Sequence, residues 1–237
     1  MNIDIIYEDE SLIILNKPIG LPVIPGRNLP DDDTLSKRLE AHMGRKPLVV
    51  HRLDRETSGV ILFAKSDRVH RTLCMQFERR EVSKAYLALV LGSIDVDGVI
   101  ETPIRQFGSG RMGVGPEGKP SKTVYHVLKK FSEATLLEVR PVTGRRHQIR
   151  VHLYSIGHPV VGDPLYGMAR PVAGCPRLML HARELTIKMP SSEERTFTAP
   201  PDAQWHDLIR QYGPDPVVVK LPKSSQTVDA EQMSLFG

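Results

Sequence analysis

His51-Arg52-Leu53-Asp54-Arg55-Glu56-Thr57-Ser58-Gly59-Val60-Ile61-Leu62-Phe63-Ala64-Lys65 is the stretch on which the reading of this chain turns. Val60 to Ala64 is an unbroken apolar run between Gly59 and Lys65-Ser66, which predicts a buried strand. Asp54 then lies on a loop that a rigid strand positions, a frequent setting for a working carboxylate. Taken alone, an aspartate between two arginines is more often a turn residue capping its own backbone among weak, solvated ion pairs. The order of the residues around it argues otherwise, as set out below.

Toward the N-terminus, Ile3 to Tyr7 and Leu12 to Asn16 predict two short strands joined by the acidic turn Glu8-Asp9-Glu10. Lys17-Pro18-Ile19-Gly20 closes the second strand with a fixed turn, and Lys17 is expected to face a phosphate or water. Thr34 to Met43 predicts a helix capped by Asp33 or Thr34, with Leu35 and Leu39 on one face. On the other side, Ser66-Asp67 caps a helix reaching about Arg79. Val69, Leu73 and Phe77 line its inner face, while Arg68, Arg71, Arg79 and Arg80 lie outside. Lys84 to Val90 alternates as a strand, and Tyr86 within it is a half-buried residue on that pattern.

Gly108-x-Gly110-x-x-Gly113 mimics a dinucleotide fingerprint, and Gly113 to Lys119 nearly matches a phosphate loop. Both need a strand before and a helix after. Pro116 and Pro120 interrupt here and a strand follows, so a mobile basic hairpin tip is expected instead. Thr123 to Phe131 and Leu136 to Val139 predict strands. A helix is then expected from Thr143-Gly144 to Ile156, with Gly157 ending it and Ile149, Leu153 and Ile156 entering the core. Arg150 stands at the edge of that core and needs a carboxylate partner. His147 and His152 are five apart, do not share a helix face and form no His-Glu-x-x-His, so no metal site is expected. Asp202 to Tyr212 predicts a last helix. From residue 214 onward Pro, Ser, Lys and Gln dominate and a disordered tail is expected, leaving residues 1–213 as one catalytic domain.

The 237 residues suffice for one sizeable core, and 40% hydrophobic with 25% charged residues is ordinary for a soluble domain. The net charge of +4 is modest, but the basic residues cluster between Arg45 and Lys84 and again between Arg140 and Arg150, which suits a polyanion. The two cysteines, Cys74 and Cys175, form no Cys-x-x-Cys pattern, so neither a zinc site nor a disulfide framework is expected. No basic leader or signal peptide is visible, and no apolar run approaches the ~18 residues of a membrane span. A cytoplasmic protein with no membrane partner is expected.

His-Arg-Leu-Asp-x-x-Thr-Ser-Gly, seven specified residues in nine positions, resembles the signature of the RluA-type pseudouridine synthases. Lys17-Pro-x-Gly20 resembles the family's first motif, and Thr143-Gly-Arg-x-His-Gln-Ile-Arg150 a further signature. His158 to Gly167 and Arg177 to Ala182 agree as well, so the resemblance spans residues ~11 to ~200. Arg146 stands where the family often has threonine, and Met189-Pro190 where it often has His-Pro. The resemblance implies an α+β fold: a pseudouridine synthase-like catalytic domain on a central, mainly antiparallel mixed sheet flanked by helices and loops. The site would lie in a basic cleft across it. No S4-like extension is expected before residue 1, so the catalytic domain would recognise RNA unaided.

By the same resemblance, Asp54 acts as nucleophile or base at the ribose or uracil ring, and Arg150 pairs with it. Tyr86 stacks on the target base and Leu180 packs below it. Arg52 is the candidate to fill the stack left by a flipped uridine. Lys17, Arg55, Arg145 and His147 complete the expected RNA-contacting set. The partner is tRNA or rRNA, the protein acts as a monomer, and no cofactor or metal is expected, because the isomerisation includes no redox step. The rival from another class is a non-catalytic RNA-binding or chaperone protein on the same fold, which would not need Asp54. A glycosidase-like hydrolase lacks a second suitably placed carboxylate, Glu56 being too close in sequence. The terminal Gln232-Met233-Ser234-Leu235-Phe236 resembles short peptides that dock into the bacterial sliding clamp, a further partner expectation.

Overall fold

The structure is a computed structural model that describes residues 3–26, 33–167 and 175–213. The expected tail and its terminal motif therefore lie outside the described residues. In chain order the strands are β1 (Ile5–Glu8), β2 (Leu12–Lys17), β3 (Leu48–Val49), β4 (Ser58–Ala64), β5 (Ser83–Leu91), β6 (Gly98–Glu101), β7 (Ile104–Gln106), β8 (Met112–Val114), β9 (Lys122–Lys130), β10 (Ala134–Pro141), β11 (Leu180–Lys188) and β12 (Glu194–Thr198). The helices are α1 (Leu35–Met43), α2 (Asp67–Glu78), α3 (Gln148–Ser155) and α4 (Ala203–Gln211). The architecture is α+β.

One sheet runs in the order β1-β2-β4-β11-β5-β10-β9-β6, with β3 beside β4 and β12 beside β11. Its pairings are antiparallel except for β4 against β11, where His181 meets Ser58 and Ala182 meets Gly59. That junction joins two hydrophobic clusters. Leu12 to Leu15 and Val60 to Ala64 pack with Leu35, Leu39 and Leu73 of α1 and α2. Ala88 to Val90, Leu137 and Val139 pack with Ile149 and Leu153 of α3 and with Trp205, Leu208 and Ile209 of α4. Every residue of β4 is buried, as a strand lying under helices must be.

Local chemistry accounts for three of the helix starts. Thr34, Ser66 and Asp202 each accept a backbone N–H from the first turn of α1, α2 and α4. α3 departs from expectation: it begins at Gln148, not at Thr143-Gly144. The Gln148 carboxamide takes the Thr143 hydroxyl at 2.7 Å and the Arg145 N–H at 3.0 Å, holding 143–147 as a tight loop that leads into the helix. Its amide donates to Lys122 O and Thr123 Oγ1, fastening that loop to β9. Ile156 also departs, being 38% exposed rather than in the core, because the helix ends one residue earlier. The glycine-rich stretch forms the hairpin β7–β8, whose Ile104 packs with Val151 and Tyr166 in a third, smaller cluster. Cys74 and Cys175 are both free. Among the described residues no helix is long and apolar enough to cross a membrane.

Candidate active site

Asp54 sits in a tight turn between β3 and β4, with Thr57 N–H bonded to its carbonyl at 3.1 Å. The turn is held from one side by the 17–21 loop. Gly20 N–H donates to Arg55 O at 3.0 Å, and the Arg55 Nε donates to Gly20 O at 2.9 Å. Lys17 completes the clamp: its Nζ donates to Pro18 O, Leu21 O and Arg55 O at 2.8, 2.8 and 3.0 Å. This corrects the expectation that Lys17 meets a phosphate. It is fully buried, all three ammonium donors are spent on carbonyls, and burial pushes its pKa down to about 7.

From the far side comes Arg150 of α3, itself 3% exposed. Its Nη1 donates to Asp54 Oδ2 at 3.0 Å, so residues 96 positions apart in sequence meet. Nε and Nη2 are taken by the two oxygens of Asp163, both at 2.7 Å. Asp163 also accepts Leu165 N–H at 2.8 Å and Tyr166 N–H at 3.0 Å. Burial would raise the Asp163 carboxyl, but the bond and charge of Arg150 outweigh it and hold the group below the usual carboxylate range. Burial opposes the Arg150 charge, and the two carboxylates more than restore it.

His147 introduces α3 in a left-handed conformation (φ 55°), an uncommon state for a residue with a Cβ and one that often marks a working position. Its Nδ1 lies 2.9 Å from the Tyr166 hydroxyl, and its Nε2 stands 3.8 Å from Asp54 Oδ1. Tyr166 Oη accepts Met112 N–H at 3.2 Å, so its own proton is available to Nδ1, which leaves the ring proton on Nε2 facing the carboxylate. Burial lowers the His147 pKa, the Asp54 charge only partly opposing it, so the ring is neutral at pH 7.

Tyr86 is half-buried on β5, opposite Val139 on one side and Ala182 on the other. Burial and, after it, the nearby Asp54 charge keep its hydroxyl protonated far above neutrality. Leu180 pairs with Ala88, two positions along, so it lies on the Tyr86 face of the sheet, diagonal to the tyrosine. Arg52 and Arg55 are exposed beside Asp54, and Arg145 is half-buried with its guanidinium 3.4 Å from Pro120 O. The structure thus gathers Arg150 and His147 about Asp54, with Tyr86 close enough to feel the Asp54 charge and Arg52 and Arg55 exposed alongside. Asp163 and Tyr166 belong to the same cluster and were not singled out from sequence. A donor count points to the former: five guanidinium N–H groups on a buried arginine exceed what one carboxylate accepts. Nothing in the sequence pattern marks Tyr166.

The model of a family described as RNA pseudouridylate synthase matches residues 11–155. A ribosomal large subunit pseudouridine synthase D of Nitrosomonas europaea is 44% identical over 202 residues, covering 79% of this chain and 58% of that protein. A ribosomal large subunit pseudouridine synthase C of Vibrio cholerae is 42% identical, covering 81% and 63%. The chain thus spans about three fifths of the length of these two relatives. The dual-specificity RNA pseudouridine synthase RluA of Vibrio cholerae is 39% identical over 233 residues and matched over 94% of both chains. Among solved structures, human RNA pseudouridylate synthase domain containing 1 superposes with a TM-score of 0.73 at 31% identity, over 91% of this chain and 97% of that one. With the motif residues converging on one carboxylate, and the fold and these relatives in agreement, the chain belongs to the RNA pseudouridylate synthase family.

Proposed function

We propose that this protein isomerises uridine to pseudouridine in RNA. The observation that carries the reading is the Asp54 carboxylate, held 3.0 Å from a buried arginine on a loop clamped from below by Lys17. The glycosidic bond breaks, uracil turns, and the ring rejoins through carbon 5, with no net oxidation or hydrolysis. One carboxylate, acting as nucleophile or base, suffices for that sequence, and Arg150 holds it in place through the 3.0 Å contact. Tyr86 stacks on the uracil and Leu180 supports it from below. A uridine within a stem must first be flipped out, at a cost of a few kcal/mol. Arg52 fills the vacated stack, while Arg55, Arg145 and His147 contact the RNA around it.

The relatives' names point to ribosomal large-subunit RNA, one of them to dual specificity, and we take the substrate to be rRNA or tRNA. The test is tritium release from RNA carrying 5-tritiated uridine, with wild type and Asp54→Asn. Release by the wild type and none above background by the variant is expected. Release by the variant at the wild-type rate removes Asp54 from the mechanism. RNA binding without any release favours the non-catalytic binding protein on the same fold. Residues 1–213 act as the catalytic unit, as a monomer in the cytoplasm. Docking of Gln232 to Phe236 into a sliding clamp rests on sequence alone, and loss of clamp binding on Leu235→Ala with Phe236→Ala is its test.

A further inference from the structure

A cavity of about 370 Å³ adjoins the active site through Tyr166, between the β7–β8 hairpin and α3. Its volume falls in the ~300–1,000 Å³ range of small-ligand sites. Phe107, Arg111, Met112, Val151, Tyr154 and Tyr166 form most of its wall, and no lining residue is acidic. The Arg111 guanidinium lies 4.9 Å from the Tyr166 ring centre and 5.8 Å from that of Tyr154. Among the described residues no carboxylate pairs with Arg111, so its charge and its planar donor fork remain available. Tyr154 is 47% exposed and Phe107 41% exposed, a costly display of aromatic surface unless something flat covers it. Arg105 stacks 4.7 Å over Phe107 but pairs with Glu117, so Arg111 is the cation that faces the cavity.

Exposed aromatic rings beside Arg111, which no carboxylate pairs, in a cavity whose lining carries no acid, suit a flat π-system carried on an anionic chain. We propose that this cavity takes the base of a second unpaired nucleotide of the RNA whose uridine enters the Asp54 site. The inference rests on the RNA reading above and adds a specificity pocket to it. Tyr166 is the shared wall: its ring lines the cavity, and its hydroxyl orients His147 beside Asp54. Tyr154 offers its exposed ring to one face of the base, and the planar donor fork of Arg111 binds the base edge.

The test uses a short single-stranded RNA carrying one fluorescent purine analogue, together with the tritium-release assay. Wild type quenches the analogue by stacking. Arg111→Ala and Tyr154→Ala abolish the quenching and raise KM for tritiated RNA about tenfold. Both side chains are exposed, so these variants fold, which a thermal melt checks. Arg111→Lys keeps the charge but not the plane and is expected to fail like Arg111→Ala. Full recovery in Arg111→Lys makes the residue a phosphate contact and overturns the pocket, as does a wild type that leaves the analogue unquenched. Absence of tritium release from every RNA would defeat the proposed activity, while the quenching comparison would still decide the pocket.

Discussion

Asp163 grips Nε and Nη2 of Arg150 at 2.7 Å each and leaves Nη1 for Asp54. The two carboxylates are unequal. The Asp163 side chain is completely enclosed, whereas that of Asp54 is 29% exposed and open to a substrate. Asp163 thus fixes the guanidinium so that its free corner meets Asp54. Asp163→Asn is expected to destabilise the fold by about 3–5 kcal/mol, the usual cost of breaking a buried pair on one side. Turnover should fall further than the folded fraction does. Denaturant unfolding beside single-turnover tritium release measures both, and unchanged single-turnover rates in the folded fraction would refute the positioning role.

Lys17 tests whether a motif lysine serves the RNA or the loop. Lys17→Met takes the lysine donor from three carbonyls; Arg55 O keeps the Gly20 N–H, while Pro18 O and Leu21 O are left at about 1–3 kcal/mol for each that water does not reach. Stability and turnover should drop together, because one of those carbonyls belongs to Arg55, next to Asp54. The slope of RNA affinity against salt should stay as in wild type, since no phosphate contact is lost. A shallower salt slope with unaltered stability would return Lys17 to the RNA surface.

Gly59 marks the parallel junction of β4 with β11. Its φ is 112°, and a Cβ there would stand 2.1 Å from Ala182 O, a backbone atom that cannot step aside. Gly59→Ala should therefore lower the melting temperature by ten degrees or more, roughly several kcal/mol for a domain of this size, or leave the protein insoluble. A melt within about two degrees of wild type would show that the junction tolerates separation.

His181 makes the fold acid-sensitive. Its Nδ1 accepts from Ser58 Oγ at 2.9 Å, its Nε2 donates to Ala199 O at 3.0 Å, and burial pushes its pKa down to about 4. The unfolded chain takes up this proton near pH 6.5, the folded one only near 4. The unfolded state therefore binds more protons between those values, and stability falls as pH drops through the window, by on the order of 3 kcal/mol. Arg177 disfavours the imidazolium and Asp202 favours it, the former contribution being larger. Urea unfolding from pH 7 to 4 should record the decline, and His181→Gln should make it shallower, with His51, which burial pushes down to about 3, contributing to the remainder. A wild-type profile already flat over that range would contradict the assignment.

What was legible in the sequence was local or motif-borne. Thr34 and Ser66 announced their helices because a cap acts within three residues, and Asp202, expected inside the last helix, caps it instead. The apolar run at Val60 announced β4 because burial on both faces leaves no alternation. The meeting of Asp54 with Arg150 came from resemblance, since nothing in spacing alone joins residues so far apart. Lys17 was misjudged because a lysine at a Pro-Gly turn is usually solvated, and the carbonyl cage around it is tertiary. The start of α3 was placed too early because Thr143 looks like a cap, whereas its hydroxyl is engaged by Gln148. β6, β7, β8 and β12 are short and three of them rich in glycine or polar residues, so their pairing partners, not their composition, define them.

β11 is the late-arriving keystone of the sheet, inserted between β4 and β5, with Ser58 and His181 in contact across 123 positions. During synthesis, a nascent chain ending before residue 180 carries two half-sheets with raw edges and no shared wall. Closing them demands a long loop and a slow step, as distant pairings do. The sheet that carries both Asp54 and Tyr86 is therefore joined only once residues 180–188 have been made.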